Sequence, residues 1–150
     1  MSKGVNLIGY ATSPTGLGED LRSFASMLDY LGVPYSVIDV PTESRGRVQF
    51  PWQHLSTETF STSFFFMSPM ECLRLQEAQP KLFSEPKLKV GYFLWELPDF
   101  PDQYLKALDL VDSKQICHSN SYLKHSHNYQ SSKRHFAYLE LGLSEEMSIL

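Results

Sequence analysis

The first forty residues alternate between short apolar runs and one amphipathic segment, and this alternation limits the folds open to the chain. Residues 5–10 form an apolar run typical of a buried strand. A loop rich in Pro and Gly follows, and a helix is expected to begin near Gly18, with apolar residues at helical spacing at Leu21, Phe24, Ala25, Leu28 and Leu31. Gly32 should end this helix, and residues 35–40 are typical of a second strand. Strand, helix and strand with short connections predict a βαβ unit with parallel strands.

The same alternation continues along the rest of the chain. Further strands are predicted at residues 63–67, 89–94, 115–118 and 136–139, and further helices at 69–83, 102–111 and 121–129. The first of these helices is expected to turn Met70, Leu73, Leu75 and Ala78 inward, with Pro80 ending or kinking it. Residues 41–59 show weak periodicity and are interpreted as a long loop. We therefore predict one α/β domain with a Rossmann-like, doubly wound parallel sheet in a three-layer α/β/α arrangement.

Composition and charge exclude several classes of function. The chain of 150 residues has a net charge of −4 and no basic stripe, which disfavours nucleic-acid binding. Cys72 and Cys117 form no CxxC pair and are interpreted as free buried thiols. Three histidines, His118, His125 and His127, lack the spacing of a zinc site, so no metal is expected. No signal-peptide pattern and no apolar run of membrane-spanning length occurs, and a cytoplasmic location is expected.

The Gly-containing loop at residues 12–18 is a candidate anion-binding site. It lies between the first predicted strand and the first predicted helix, where unpaired helix N–H groups attract phosphates. Gly16 and Gly18 would allow the backbone to approach an anion closely. The loop lacks both the GK[ST] ending of a P-loop and a complete GxGxxG pattern. An ordinary tight connection is the alternative, and Glu19 and Asp20 would compete with an anion.

A second candidate site follows the predicted strand at residues 89–94. Glu96 stands at the carboxyl end of that strand, which is the ligand-binding edge of open α/β sheets. Its apolar neighbours would raise a carboxyl pKa toward the range useful for proton transfer, so Glu96 is the candidate acid or base. Trp95 could stack on a sugar ring. The alternatives are that Glu96 caps the next helix or pairs with a lysine and that Trp95 belongs to the core.

Two segments resemble the motifs of a known enzyme family. Residues 16–22, GLGEDLR, are similar to the "GLGE-xx-R" motif of family 4 glycosyltransferases, and residues 91–101 resemble the "GY-WEL-FP" signature of one branch of that family. The resemblance implies the two-domain GT-B fold. It also implies that the first loop contacts the donor diphosphate or the acceptor, a role that falls to Gly16, Leu17, Gly18 and Arg22. Arg22 could instead cap a neighbouring carboxylate. At the strand end occupied here by Trp95 and Glu96, the family usually presents a catalytic His.

Further turns add to the resemblance. Ser68 follows the third predicted strand where relatives in this branch tend to have Asn-Pro, and residues 118–122 are similar to the family's "PS-x-F" turn without its Pro. The resemblance implies donor or acceptor contacts for Ser68, Ser119 and Asn120, although Ser119 or Asn120 could simply be a helix N-cap. Residues 136–143 resemble the strand that closes the family's N-terminal domain.

The resemblance implies that residues 1–150 are the acceptor-side, N-terminal domain of a retaining hexosyltransferase, with the C-terminal donor-binding domain absent. Such an enzyme moves a sugar from a nucleotide-sugar donor to a glycan or lipid-linked acceptor, here in surface-polysaccharide synthesis, without cofactor or metal. A separate C-terminal half or a second copy of the chain would be its partner. Peripheral association with the inner membrane is the alternative to a purely cytoplasmic location. The isolated domain should be a poor catalyst, because the cleft needs both walls. The alternatives are a non-catalytic half-domain that binds an acceptor glycan or a partner chain, and a flavodoxin-like nucleotide-binding domain unrelated to sugars.

Overall fold

The computed structural model describes residues 4–42, 48, 60–94 and 100–117. Five strands form one sheet: β1 (Val5–Gly9), β2 (Tyr35–Asp39), β3 (Thr62–Met67), β4 (Leu88–Leu94) and β5 (Ser113–Cys117). Their order is β2-β1-β3-β4-β5, and every neighbouring pair is parallel. The predicted α/β class and parallel sheet are therefore confirmed. The helix predicted at 121–129, the strand predicted at 136–139 and nearly all of the loop at 41–59 lie outside the described residues.

Helix α1 (Gly16–Leu31) connects β1 to β2 and begins two residues earlier than its apolar pattern indicated. Thr15 is the N-cap, and its hydroxyl oxygen accepts a hydrogen bond from the Gly18 amide at 3.3 Å. The pattern of apolar residues could not locate this start, because a cap is set by one polar side chain. At the other end, Gly32 adopts φ 64°, a left-handed conformation that glycine adopts without strain, so the predicted helix end is confirmed.

The segment predicted as one helix at 69–83 forms two helices, α2 (Pro69–Ala78) and α3 (Lys81–Ser84). The break falls just before Pro80, because a residue that precedes proline is disfavoured in helical conformation. The predicted inner face was partly wrong. Leu75 is buried as predicted, but Met70 and Ala78 are exposed, and Pro69 and Cys72 are the other buried positions. The capping box at Ser68 fixes the start of α2.

The segment after β4 is also more broken than predicted. A 3₁₀ turn at Asp102–Tyr104 precedes the short helix α4 (Leu105–Asp109). Leu105 is 45% exposed, and the core contacts come from Ala107, Leu108 and Val111.

Two apolar clusters lie on opposite faces of the sheet and give the three layers. One packs α1 against alternate residues of the strands, including Leu7, Val37 and Phe64. The other packs α2, α3 and α4 against the intervening residues, including Ile8, Phe65 and Phe93. Because successive strand residues point to opposite faces, a strand covered by helices on both sides is apolar on both faces, as β3 is from Phe64 to Met67.

The buried side chain of Asn6 in β1 links β1 to β2 and β3 near the amino-terminal ends of these strands. The Asn6 side-chain amide donates to Ser63 Oγ of β3 at 3.0 Å and to the Phe60 carbonyl oxygen at 2.9 Å. Its oxygen accepts from Ser36 Oγ of β2 and from the Phe60 amide, both at 2.9 Å. Both donors and both acceptor positions of the amide are thus used, which offsets the cost of burying it.

Candidate functional site

The strand order reverses between β1 and β3, and the carboxyl ends of two such strands are where open α/β sheets form a ligand-binding crevice. The chain leaves β1 through α1 toward β2, then returns to the other side of β1 as β3. In open α/β sheets this reversal separates the two connecting loops and leaves room for a ligand. The loop at residues 10–15, called the β1–α1 loop below, lines one side, and Ser68 at the start of α2 lines the other.

Two charged side chains hold the β1–α1 loop. Arg22 Nη1 donates to the carbonyl oxygens of Ala11 and Ser13, each at 2.8 Å. From the other side, the Asp39 carboxylate accepts from the Thr12 amide at 3.1 Å and from the Thr12 hydroxyl at 2.7 Å. The loop conformation therefore depends on residues from α1 and from the end of β2.

The two glycines of the loop motif have different environments. A Cβ atom on Gly16 would meet nothing within 4 Å, so this residue stands open at the first position of α1. A Cβ atom on Gly18 would lie 2.5 Å from the Ser13 carbonyl oxygen and 2.6 Å from that of Tyr10. Gly18 therefore lets the helix pack against the loop, and of these two glycines only Gly16 offers an accessible backbone.

The first backbone amides of α1 have no hydrogen-bond partner within the helix. Within the described part of the chain, no acceptor bonds the amides of Gly16 or Leu17, as expected for the first turn of a helix. The Leu17 side chain is half-buried and packs against the apolar cluster beneath α2. An anion could accept hydrogen bonds from both amides, and the positive end of the helix dipole would stabilise its charge.

Arg22 is used internally. Its side chain is 7% exposed, and besides the two loop carbonyls it donates from Nε and Nη2 to Glu19 Oε2, at 3.2 and 2.8 Å. The sequence left two roles open for Arg22, a contact with a bound anion and a contact with a neighbouring carboxylate. The structure contains the second of these, the ion pair with Glu19. The same ion pair offsets the Glu19 charge, which would otherwise oppose an anion at the start of α1. Burial, and then the nearby Glu19, raise the pKa of Asp20.

The start of α2 is occupied by its own carboxylate. Glu71 Oε2 accepts from the Ser68 amide at 3.0 Å and from the Ser68 hydroxyl at 2.8 Å, while Ser68 Oγ accepts from the Glu71 amide. Burial, and then a hydrogen bond to Glu71, raise the pKa of Tyr10 at the end of β1. Ser68 thus serves as a capping-box residue. Because a negative side chain already fills this helix end, α1 offers an anion the better of the two sites.

Several candidate residues lie outside the described residues: Trp95, Glu96, Ser119 and Asn120, with His118, His125 and His127. Their assigned roles stay predictions. Within the described ranges, no group of three His, Cys, Asp or Glu side chains is arranged to hold a metal ion.

Sequence reasoning missed Asp39. It ends β2, pairs in register with Gly9, and reaches across to the loop of the neighbouring strand. One signal was available, because an acidic residue at the end of the second strand is a recurrent ligand-side position in nucleotide-binding sheets.

A second concavity, of about 240 Å³, opens where β1 and β3 begin, at the opposite edge of the sheet. Asn6, Ser63, Lys81 and Lys87 contribute to its walls. The Asn6 amide has no donor or acceptor left for a ligand there, since it already joins three segments of the chain.

No family model, curated protein or solved structure matches the chain. The glycosyltransferase assignment therefore rests on the two sequence motifs. Among the described helices, none combines the length and the apolar character needed to cross a membrane.

Proposed function

We propose that the chain is the acceptor-side domain of a retaining glycosyltransferase, which moves a sugar from a nucleotide-sugar donor to a glycan or lipid-linked acceptor in surface-polysaccharide synthesis. The proposed contact with the donor diphosphate or the acceptor is at the β1–α1 loop, through the backbone of Gly16 and Leu17. Glu96 is the proposed acid or base, and Trp95 the proposed surface for a sugar ring.

One observation carries this proposal. The GLGE-xx-R motif coincides with the exposed start of α1 beside the crevice between β1 and β3. Within the motif each residue type has a physical use: Gly16 is open, Gly18 allows close packing, and Arg22 pairs with Glu19. A nucleotide-sugar diphosphate fits this arrangement because its oxygens accept hydrogen bonds from backbone amides.

The first experiment is a pair of substitutions at Gly16, tested by calorimetric titration with UDP- and GDP-sugars. Gly16→Pro removes the amide proton, and proline is well suited to the first helical position after an extended Thr15. Gly16→Ala is the matched control, because it keeps the amide and its Cβ atom meets open space. We expect Gly16→Pro to weaken binding about tenfold, the value of one hydrogen bond to a charged group, and Gly16→Ala to leave it within twofold.

Two results would contradict the proposal. Equal affinity of both variants would exclude the amide contact. No detectable binding of either sugar nucleotide by the wild-type chain at millimolar concentration would exclude the donor-diphosphate contact at the β1–α1 loop. The acceptor contact would remain, because the resemblance assigns the donor-binding site to the C-terminal domain.

A non-catalytic domain that binds a partner chain is the second candidate function. Met70 and Leu105 are 36% and 45% exposed, and the Tyr104 hydroxyl contacts Met70 Sδ at 3.6 Å. Met70 lies near the carboxyl edge of the sheet, because it follows the end of β3 by three residues. Leu105 is the chain neighbour of Tyr104, which contacts Met70. Exposed apolar side chains beside a cleft favour protein docking. A wild-type chain that binds no sugar nucleotide would favour this candidate.

A further inference from the structure

We infer that Asp39 is a positioning residue for the proposed site: together with Arg22, it holds the β1–α1 loop in its ligand-binding conformation before a ligand arrives. The inference rests on the proposed function for the identity of the ligand. It concerns residues that act through the loop and make no contact with substrate themselves.

The argument begins with the peptide groups of the loop. The Thr12 amide donates to Asp39, and the Thr12 carbonyl oxygen accepts from the Val48 amide at 2.9 Å. The Ser13 amide donates to the Tyr10 carbonyl oxygen at 3.0 Å, and the Ser13 carbonyl oxygen accepts from Arg22. The N–H and C=O groups of Thr12 and Ser13 are thus all bonded within the protein, which leaves this part of the loop few alternative conformations.

Asp39 is itself held in place by the sheet. It ends β2 opposite Gly9, and the next amide, that of Val40, donates to the Gly9 carbonyl oxygen at 2.8 Å. Its two carboxylate oxygens accept from two groups of one residue, the Thr12 amide and hydroxyl. Such charge-assisted pairs are stronger than neutral hydrogen bonds. The sheet edge therefore fixes Thr12 in both position and orientation.

The functional consequence follows from the usual cost of binding by loops. Ligand-binding loops commonly belong to the least stable part of a fold, and ordering them reduces affinity. Here the ordering would be complete in the free protein, because Asp39 and Arg22 hold the loop from two sides. Loss of either contact should weaken ligand binding even though neither side chain touches the ligand.

The test compares Asp39→Ala with Asp109→Ala in the 150-residue chain. Asp109 is exposed on α4, so its removal changes the net charge equally without affecting the loop. Amide hydrogen exchange at Thr12 is measured by NMR, with Val37 inside β2 as the internal reference. Affinity is measured with inorganic pyrophosphate and with UDP- and GDP-sugars.

We expect Asp39→Ala to accelerate Thr12 exchange at least tenfold relative to Val37 and to weaken pyrophosphate binding about threefold to tenfold. The sign is informative, because removing a negative charge near an anion should by itself strengthen binding. Asp109→Ala should change neither quantity by more than twofold. Arg22→Lys, which loses the planar fork of donors, should also accelerate Thr12 exchange.

Unchanged Thr12 exchange in Asp39→Ala would overturn the inference whatever the ligand data. The inference would also be overturned if Asp39→Ala accelerated Thr12 exchange but bound pyrophosphate as tightly as Asp109→Ala does. The contact would then be purely structural. If the wild-type chain binds neither pyrophosphate nor a sugar nucleotide, the diphosphate contact of the proposed function is refuted, and the positioning role is refuted with it. Accelerated exchange would then still establish the contact as part of folding, which separates the two failures.

Discussion

Single residues of the GLGE-xx-R motif differ in what they do. Gly16 is open to solvent, Gly18 is packed against two carbonyl oxygens, and Arg22 is buried among bonds to its own loop. A variant at Gly18 would therefore test folding and ligand binding together, whereas a variant at Gly16 can test binding alone.

Gly18→Ala should destabilise the fold by about 2–3 kcal/mol, because the added Cβ atom would overlap the carbonyl oxygens of Ser13 and Tyr10. The sign is opposite to the usual effect, since Gly→Ala inside a helix normally stabilises by roughly 0.5–1 kcal/mol. Urea unfolding measures the difference. Gly16→Ala is the control and should change the free energy of unfolding by less than about 0.5 kcal/mol. Equal stability of the two variants would contradict the close packing at Gly18.

At the scale of elements, polar caps set where the helices begin, and the apolar pattern only shows that they exist. Thr15 starts α1 earlier than its apolar residues do, and Ser68 starts α2 with a reciprocal bond to Glu71. The apolar pattern also did not show which side of α2 faces the sheet. Met70 is exposed, although its hydrophobicity suggested a core position.

Ser68→Ala should lower the free energy of unfolding by about 1 kcal/mol, the usual value of an N-cap. The substitution removes the acceptor for the Glu71 amide and one of the donors to the Glu71 carboxylate. Ser68→Thr keeps the hydroxyl and should retain most of the stability. Chemical denaturation of the three proteins measures these differences, and a Ser68→Ala chain as stable as the wild type would show that the capping box contributes nothing.

On the scale of the whole molecule, the core holds several ionisable groups in their neutral forms. Burial raises the pKa of Cys72 to about 12, and burial followed by a carboxylate neighbour raises the pKa of Tyr10 and of Tyr35. For Tyr35 the neighbour is Asp29, whose carboxylate accepts a hydrogen bond from the Tyr35 hydroxyl at 2.9 Å. Because these groups lie on both faces of the sheet, the stability of both apolar clusters should fall at alkaline pH.

We expect the free energy of unfolding to fall as pH rises above 9.0, the ordinary pKa of a cysteine, and more steeply above 10.0, that of a tyrosine. The unfolded chain releases these protons first, so rising pH favours unfolding by up to about 1.4 kcal/mol per pH unit for each group. Urea titrations at pH 7, 9 and 10.5 measure the slope. Cys72→Ala and Tyr35→Phe should each reduce it, and a slope unaffected by both would refute the assignment.

The sequence alone determined the layered architecture and most of the order of strands and helices along the chain. Alternating apolar runs and helical patterns predicted the parallel sheet, and Gly32 predicted the end of α1, because both signals are local in the chain. Only the tertiary structure decided how the loop is held. Asp39 and Thr12 are 27 residues apart in sequence and meet through the strand register. The pairing of Arg22 with Glu19 follows from their i,i+3 spacing on α1. The environments of Gly16 and Gly18, and the bonds from Arg22 to the Ala11 and Ser13 carbonyl oxygens, depend instead on how the fold packs α1 against the loop.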